Sequence, residues 1–175
     1  MKEVLMAEPI KAYLSLGSNL GDSVSLMQSA VDMLHNQPLI SVERLSAFYR
    51  TEPVDAPRQS DFINCALELT TNLNPESLLT VCLDIEEKSG RARNGMKNAP
   101  RTLDIDIIFY SDVQLDTNTL RIPHPRYRNR RFVLEPLKEI APNFICPDTG
   151  STVSKALNHC GDNSRVELLE LEVAV

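Results

Sequence analysis

The chain has 175 residues, of which 42% are hydrophobic and 24% charged, and this composition is typical of one soluble globular domain. The net charge of −6 argues against a general nucleic-acid binder, because such proteins usually need an excess of basic residues to displace counterions. Since no apolar run approaches the roughly 18 residues that a bilayer requires, we expect no membrane span and a cytoplasmic location.

The first elements of the chain are a strand, a turn and a helix. Residues 1–9 contain no apolar core of a signal peptide, so we interpret them as a loose leader. Residues 11–17 alternate apolar and polar side chains, which predicts a strand. The glycine-bearing turn that follows ends at Asp22, a candidate N-cap for a helix that reaches His35. The turn lacks the lysine and the spacing of a phosphate-binding loop, so we expect it to be structural.

Residues 39–50 and 62–71 predict the second and third strands, and an irregular loop with two prolines joins them. One face of the third strand is apolar, whereas Phe62 and Asn64 share the other face. An aromatic ring beside a carboxamide could stack on a flat heterocycle and form hydrogen bonds with it. Cross-strand packing is an equally good explanation at this point.

A second helix begins at Asn74 as N-cap, continues with a proline and ends before Gly90. A loop at 91–101 separates it from the next strand. The four cysteines have no metal-ligand spacing, and those on apolar positions of predicted elements, Cys65 and Cys82, indicate buried free thiols in a reducing compartment.

The strand in Pro100–Tyr110 carries two aspartates. Period-two alternation predicts that Asp104 and Asp106 share one face. The opposite, core face would hold Leu103, Ile105, Ile107 and Phe109. Two neighbouring carboxylates repel each other unless they share a cation, and hard oxygen ligands suit Mg²⁺ bound together with phosphates. The alternative is a half-exposed strand with solvated acids. Basic residues favour the metal, because residues 90–131 carry a net charge of +5 and the remainder −11.

The order strand, helix, strand, strand, helix, strand predicts an α+β fold, the ferredoxin-like βαββαβ arrangement, with an antiparallel sheet and both helices on one face. We expect the aspartates, Phe62 and Asn64 to meet on the uncovered face. We assign residues 10–160 to a single domain. Its C-terminal additions are a hairpin at 115–122, a helix at 131–140 and a last helical turn at 154–159. The tail at 161–175 either adds an edge strand or packs elsewhere.

Six ordered motifs resemble those of 6-hydroxymethyl-7,8-dihydropterin pyrophosphokinase, a family of folate biosynthesis. They are GSNLGD, FYRTEPV, DFINCALEL, IEEKSGRARN, PRTLDIDII and IPHPRYRNRRFVLEPLKEIAP. The resemblance implies a diphosphokinase that moves the β,γ-diphosphate of ATP to the hydroxymethyl oxygen of the pterin and releases AMP, with two Mg²⁺ ions.

The same resemblance implies roles for individual residues. Asp104 and Asp106 would hold both Mg²⁺ ions, and Arg91 and Arg101 would clamp the transferring phosphates, so these four residues are the expected catalytic set. The residues expected at the nucleotide are Glu86, Arg93, Ile107, His124 and Arg130. The residues expected at the pterin are Thr51, Pro53, Val54, Phe62, Asn64 and Phe132. No strong general base is implied, and in-line phosphoryl transfer does not demand one.

Two other functions fit parts of the sequence. A ferredoxin-like sheet can bind RNA, but a face with two aspartates would repel phosphate unless metal is bound. A metal-dependent phosphohydrolase would share the aspartates and the arginines, and would release inorganic phosphate without needing an acceptor. We expect a monomer whose partners are ATP and the hydroxymethyl-dihydropterin, with no nucleic acid.

Overall fold

The computed structural model describes residues 8–54, 59–90 and 102–170. In chain order the elements are β1 (Ile10–Ser18), α1 (Ser23–His35), β2 (Ile40–Leu45), β3 (Tyr49–Thr51), β4 (Phe62–Thr71), α2 (Pro75–Lys88), β5 (Asp104–Tyr110), β6 (Leu115–Asp116), β7 (Arg121–Ile122), a 3₁₀ turn (Tyr127–Asn129), α3 (Arg131–Ile140), α4 (Val153–Asn158) and β8 (Val166–Leu168).

Side-chain caps fix where the first two helices begin. The Asp22 carboxylate accepts the Ser25 N–H at 3.1 Å, and the Asn74 carboxamide oxygen accepts the Ser77 N–H at 2.8 Å. Each cap satisfies one of the N–H groups that have no partner within the first turn of a helix. Gly90 follows α2 with φ +83°, a conformation that favours glycine. These predicted boundaries are confirmed.

The strands form an antiparallel sheet in the order β5-β1-β4-β3-β8, and β2 pairs with the other half of the same edge of β4. This is the ferredoxin-like order that the sequence predicts, with β8 as an additional edge strand. The C-terminal tail therefore adds an edge strand, which was one of its two predicted arrangements. The predicted small hairpin is formed by β6 and β7, and it lies outside the main sheet.

The predicted strand at 39–50 is interrupted and forms two strands instead of one. At the interruption, the Ala47 N–H donates to both carboxylate oxygens of Glu139 in α3, at 3.0 and 3.1 Å. The Tyr49 hydroxyl donates to the same carboxylate at 2.7 Å. At Ala47 the backbone N–H is therefore hydrogen-bonded to α3 and not to a neighbouring strand. Strand β3 then begins beside the start of β4.

Both faces of the sheet are covered for most of its length. On one face α1 and α2 pack against β1, β4 and β5, as predicted. On the other face α3 packs through Val133, Leu134 and Leu137 against Tyr13 and neighbouring side chains. The prediction of an uncovered face is therefore wrong for much of the sheet, because the apolar side of α3 packs there. The partly exposed site residues on the strands are Phe62, Asp104 and Asp106, and they lie at the end of the sheet where β4 and β5 begin.

Strand β5 contains a β-bulge that reverses its faces. Leu14 of β1 pairs with Ile107, whereas Tyr13 pairs with Phe109, so Ile108 is an extra residue. As a result Phe109 packs on the α3 side, where its ring meets Tyr13 edge-on with centroids 6.3 Å apart. The prediction that Phe109 shares a face with Ile107 is wrong. The two aspartates precede the bulge, so their alternation is unaffected.

The cysteines are free thiols, and Cys65, Cys82 and Cys146 are buried. Burial raises the pKa of Cys82 to about 12, with a smaller contribution from the charge of Glu86, so this thiol is unreactive at neutral pH. The buried thiols predicted for Cys65 and Cys82 are confirmed. None of the helices in the described part of the chain has the length and apolar character needed to cross a bilayer. Most of the expected leader, residues 1–7, lies outside the described ranges.

Candidate active site

The aspartate pair lies beside the end of β1. In the register of the antiparallel pair, Asp104 is opposite Gly17 and Asp106 is opposite Ser15. Ile105, between the two aspartates, is buried in the core, whereas both aspartates are partly exposed. The predicted alternation is therefore confirmed at the residues that matter for the site.

Two basic residues approach Asp106 from a later part of the chain. The Nε2 atom of His124 and a terminal nitrogen of Arg130 each lie 3.8 Å from Asp106 Oδ2. The His124 N–H donates to the carbonyl of Ile108 at 3.0 Å, which holds this segment against β5. The Asp106 side chain keeps 34% of its surface exposed. The structure thus brings together residues that the sequence assigns to the metal and to the nucleotide phosphates.

Hydrogen bonding determines which ring nitrogen of His124 carries the proton. The Arg126 N–H donates to His124 Nδ1 at 3.2 Å, so the proton is on Nε2, the atom nearer to Asp106. Burial lowers the pKa of His124 to about 4, helped by the charges of Arg130 and Arg126 and partly opposed by Asp104. His124 is therefore a neutral donor at neutral pH, and its approach to Asp106 is not an ion pair.

A cleft of about 670 Å³ opens beside the aspartate pair. Its walls are Ile105–Ile107 of β5, Leu79 of α2, residues 116–121 of the β6–β7 hairpin, and His124 with Pro125. This volume is within the usual range for sites that bind small molecules and cofactors. Ile107 and His124, two of the residues expected at the nucleotide, line it, and so does Asp106.

Glu86 has a structural contact that the sequence does not reveal. Its side chain is 2% exposed, and one carboxylate oxygen accepts the Ile105 N–H at 2.7 Å. This hydrogen bond ties α2 to β5 between the two aspartates. Glu86 is not among the residues that line the cleft, so its expected role at the nucleotide stays a prediction.

A second, neutral cluster lies on the other side of β1. The Asn64 amide nitrogen donates to the Thr51 hydroxyl at 2.7 Å, and the two residues are 4% and 1% exposed. Asn64 is opposite Gly17 in the register of β1 and β4. A Cβ atom at Gly17 would lie 2.6 Å from Asn64 Oδ1, so only glycine leaves room for the carboxamide. The first glycine of the GSNLGD turn therefore shapes the site.

Of the other residues expected at the pterin, Phe62 is opposite Thr51 in the register of β3 and β4. Phe62, at the start of β4, and Phe132, in the first turn of α3, are both partly exposed. The guanidinium of Arg130 lies 5.4 Å from the centre of the Phe132 ring, close enough for a cation–π contact. Pro53 is partly exposed and Val54 is 38% exposed.

Three predicted arginines, Arg91, Arg93 and Arg101, lie outside the described residues. Their roles therefore stay predictions from the sequence.

Sequence reasoning did not assign a role to Leu79 or to the turn of the β6–β7 hairpin, although both line the cleft. The sequence predicts the hairpin, and its second strand ends two residues before His124. This short separation is a signal that the hairpin lies near the site. Leu79 gives no such signal, since it is one of several leucines in an ordinary amphipathic helix.

The aspartate pair fits a divalent cation by its donor chemistry. The described residues contain no group of three or more His, Cys, Asp or Glu side chains that could hold a metal alone. Asp104 and Asp106 would therefore supply two carboxylates, and phosphate oxygens and water would complete the shell. This division is usual for Mg²⁺, which keeps several waters and binds through one or two carboxylates.

Comparisons with known proteins show the family of the chain. The family model for 7,8-dihydro-6-hydroxymethylpterin-pyrophosphokinase (HPPK) matches residues 13–142. The 2-amino-4-hydroxy-6-hydroxymethyldihydropteridine pyrophosphokinase of Methylorubrum extorquens is 42% identical over 160 residues, which cover 91% of this chain and 99% of the relative. The protein of the same name from Synechocystis sp. is 44% identical over 142 residues, covering 81% of this chain and 72% of the relative.

Solved structures of longer proteins share the fold. The HPPK-DHPS of Plasmodium falciparum aligns with a TM-score of 0.62 at 18% identity, over 85% of this chain and 43% of that chain. An HPPK-DHPS in complex with substrates aligns with a TM-score of 0.68 at 15% identity, over 86% of this chain and 43% of that chain. The sequence relatives and the family model together show that the chain belongs to the 7,8-dihydro-6-hydroxymethylpterin-pyrophosphokinase family.

Proposed function

We propose that this protein transfers the β,γ-diphosphate of ATP to the hydroxymethyl oxygen of 6-hydroxymethyl-7,8-dihydropterin and releases AMP, in folate biosynthesis. The observation that carries the proposal is the position of Gly17. This residue has Asp104 as its partner in β5 and Asn64 as its partner in β4. Because neighbouring strands are about 4.8 Å apart, a charged site and a neutral site lie about 10 Å from each other. That separation suits a diphosphate moving between two ligands bound side by side.

ATP occupies the cleft beside β5. Its base and ribose lie between α2 and the β6–β7 hairpin, and its phosphates extend toward Asp106, His124 and Arg130. The neutral His124 donates from Nε2, and Arg130 contributes a full positive charge, so both groups favour phosphate oxygens. The resemblance to the family alone assigns further positive charge at the phosphates to Arg91, Arg93 and Arg101.

Asp104 and Asp106 would hold the Mg²⁺ ions that accompany the nucleotide. When bound, these ions neutralise negative charge on the phosphates and on the leaving AMP oxygen. The half-exposed position of Asp106 leaves room for water and for phosphate oxygens on the same ions.

The pterin binds at the neutral cluster. Its flat ring stacks between Phe62 and Phe132, and the carboxamide of Asn64 reads its hydrogen-bonding edge. Because the Thr51 hydroxyl accepts from the Asn64 amide nitrogen, the carboxamide is held in one orientation before the substrate arrives. Pro53 and Val54 complete this wall.

The chemistry needs positioning more than acid–base catalysis. The pterin hydroxymethyl oxygen attacks the β-phosphorus in line with the departing AMP oxygen, and its proton passes to solvent or phosphate. Aligned reactants and charge stabilisation supply most of the acceleration in such transfers.

The test is an incubation with ATP, MgCl₂ and the hydroxymethyl-dihydropterin, with AMP and the pterin product followed by chromatography. We expect AMP to form in equal amount to diphosphorylated pterin and only when the acceptor is present. Inorganic phosphate released without acceptor would support a phosphohydrolase instead and overturn the proposal.

A further inference from the structure

The C-terminal residues 162–169, here called the C-terminal clasp, follow the end of the family match at residue 142. Part of the clasp is β8, which pairs with β3 so that Val166 is opposite Thr51 and Leu168 is opposite Tyr49. The Leu169 N–H also donates to the Phe48 carbonyl at 2.8 Å. The clasp therefore covers the outer edge of the strand that carries Thr51.

Arg165 in the clasp contacts the residues that flank the neutral cluster. The Glu52 N–H donates to the Arg165 carbonyl at 3.2 Å, and the Arg165 N–H donates to a Glu52 carboxylate oxygen at 2.8 Å. The Arg165 guanidinium donates to Asp61 Oδ2 at 2.8 Å. Glu52 directly follows Thr51, and Asp61 directly precedes Phe62. One residue thus joins the end of β3 to the start of β4.

Asp162, at the other end of the clasp, binds the start of α3. Its carboxylate accepts the Arg131 N–H at 2.9 Å, and it also accepts the Ser164 N–H and hydroxyl. Residue 130, at the N-cap position of α3, makes no side-chain cap of its own, so Asp162 provides this function from a distant part of the chain. Burial would raise the pKa of Asp162, but these hydrogen bonds outweigh it and lower the pKa. Phe132 is the next residue of the helix.

We propose that Asp162 and Arg165 are positioning residues that set the distance between the two walls of the pterin site. One wall is the β3–β4 pair with Thr51 and Phe62, and the other is the first turn of α3 with Phe132. Only two residues separate Asp162 from Arg165, so the clasp fixes both walls through a short stretch of chain. This inference rests on the pterin position given under the proposed function.

The exposure and contacts of the clasp side chains indicate which measured quantities should change when a clasp residue is replaced. Arg165 and Asp61 keep 46% and 34% of their side-chain surface exposed, and exposed ion pairs contribute little to stability. Losing such a pair should leave the protein folded while it loosens one wall of the pterin site. The nucleotide cleft lies beyond β1, beside β5, so the KM for ATP should be unchanged.

The experiment compares Arg165→Gln and Asp162→Asn with the unmodified full chain. We expect each variant to raise the KM for the pterin about two- to fivefold, the range given by the energies of exposed ion pairs. Arg165→Gln should leave the KM for ATP unchanged. Asp162→Asn should raise the KM for ATP less than the KM for the pterin, because Arg130, at the start of α3, also approaches Asp106. The double variant Asp61→Asn with Arg165→Gln should raise the KM no further than Arg165→Gln alone. Arg165→Lys, which keeps the charge, should recover part of the loss.

The matched control is Glu167→Gln. It removes the 3.6 Å ion pair between Arg165 and Glu167 but none of the contacts to Glu52 or Asp61, so both KM values should stay unchanged. Equal increases in the KM for pterin and for ATP, or none in either clasp variant, would overturn the positioning role. Asn64→Ala, assayed in parallel, separates the two proposals. If it alone raises the KM for pterin, the clasp proposal is wrong and the pterin site stands. If it also has no effect, the position of the pterin is wrong as well.

Discussion

The two halves of the site are built in opposite ways. In the charged half, the Asp106 side chain remains 34% exposed, and His124 and Arg130 each approach it to 3.8 Å. In the neutral half, Asn64 and Thr51 are almost fully buried and only 2.7 Å apart. Burial costs a carboxylate much more solvation free energy than a neutral amide, and the amide can be buried once it is hydrogen-bonded. The charged half is therefore left open for ions and phosphate, and the neutral half is organised in advance.

The largest effect should follow from removing a carboxylate in the charged half. Asp106→Ala removes one of the two proposed metal ligands and leaves polyphosphate charge uncompensated, so kcat/KM should fall at least about a hundredfold. Because the Asp106 side chain keeps 34% of its surface exposed, the melting temperature should change little. Steady-state AMP release at several MgCl₂ concentrations, together with thermal unfolding, measures both quantities. Turnover within a few fold of the unmodified protein at saturating Mg²⁺ would contradict this role.

A smaller but more localised effect is expected at the glycine shared by the two halves. Gly17→Ala introduces a Cβ 2.6 Å from Asn64 Oδ1, which forces the carboxamide away from Thr51. Overpacking of this kind costs about 1–3 kcal/mol of stability. Pterin affinity should also fall at least as much as in Asn64→Ala, as measured by calorimetric titration.

The control for this prediction is the double variant Gly17→Ala with Asn64→Ala. Removing the carboxamide removes the atom that the new methyl group meets, so the double variant should be more stable to urea than Gly17→Ala alone. Additive losses of stability would show that the methyl group clashes with something other than Asn64.

Shortening the Asn64 side chain in the neutral half should weaken the binding of one substrate only. Asn64→Ala leaves polar groups of the pterin unpaired in a buried site, at a cost of about 1–3 kcal/mol, or roughly 5- to 150-fold in affinity. ATP binding should be unchanged, because the nucleotide cleft is lined by β5, α2 and the hairpin. Separate titrations with each ligand measure the difference. Equal losses for ATP and pterin would show that Asn64 supports the whole sheet end and does not recognise one substrate.

Much of the difference between the charged half and the neutral half of the site can be predicted from the sequence. The alternation around Asp104 and Asp106, and the pairing of Phe62 with Asn64 on one strand, follow from a period of two. The helix boundaries follow from caps such as Asp22 and Asn74, whose hydrogen bonds involve only neighbouring residues. Local patterns of this kind hold because few distant contacts compete with them.

Features that depend on distant contacts could not be predicted. The break between β2 and β3 depends on the carboxylate of Glu139, about ninety residues away in the chain. The bulge at Ile108 accompanies the packing of Phe109 under α3, and period-two alternation gives no sign of it. The contact between Gly17 and Asn64 required the strand register, which the sequence does not specify.

The smallest effect concerns the Asp162 carboxylate, which accepts hydrogen bonds from Arg131 and Ser164. The contacts of Asp162 lower its pKa below the ordinary value of 3.8, so its ionised form is favoured in the folded protein. A lowered pKa contributes stability above the ordinary pKa, and that contribution disappears as the pH falls through the folded value. Asp162→Asn should therefore be less stable to urea than the unmodified protein at pH 7, and the gap should close as the pH falls well below 3.8. Asp112→Asn is the matched control, because Asp112 is exposed and its one hydrogen bond, from Ser111, is long at 3.4 Å. If the difference in stability between Asp162→Asn and the unmodified protein does not change with pH, the carboxamide destabilises the protein for a reason other than the lost charge. The contribution of Asp162 to stability would then come from the shape of its side chain and not from its charge.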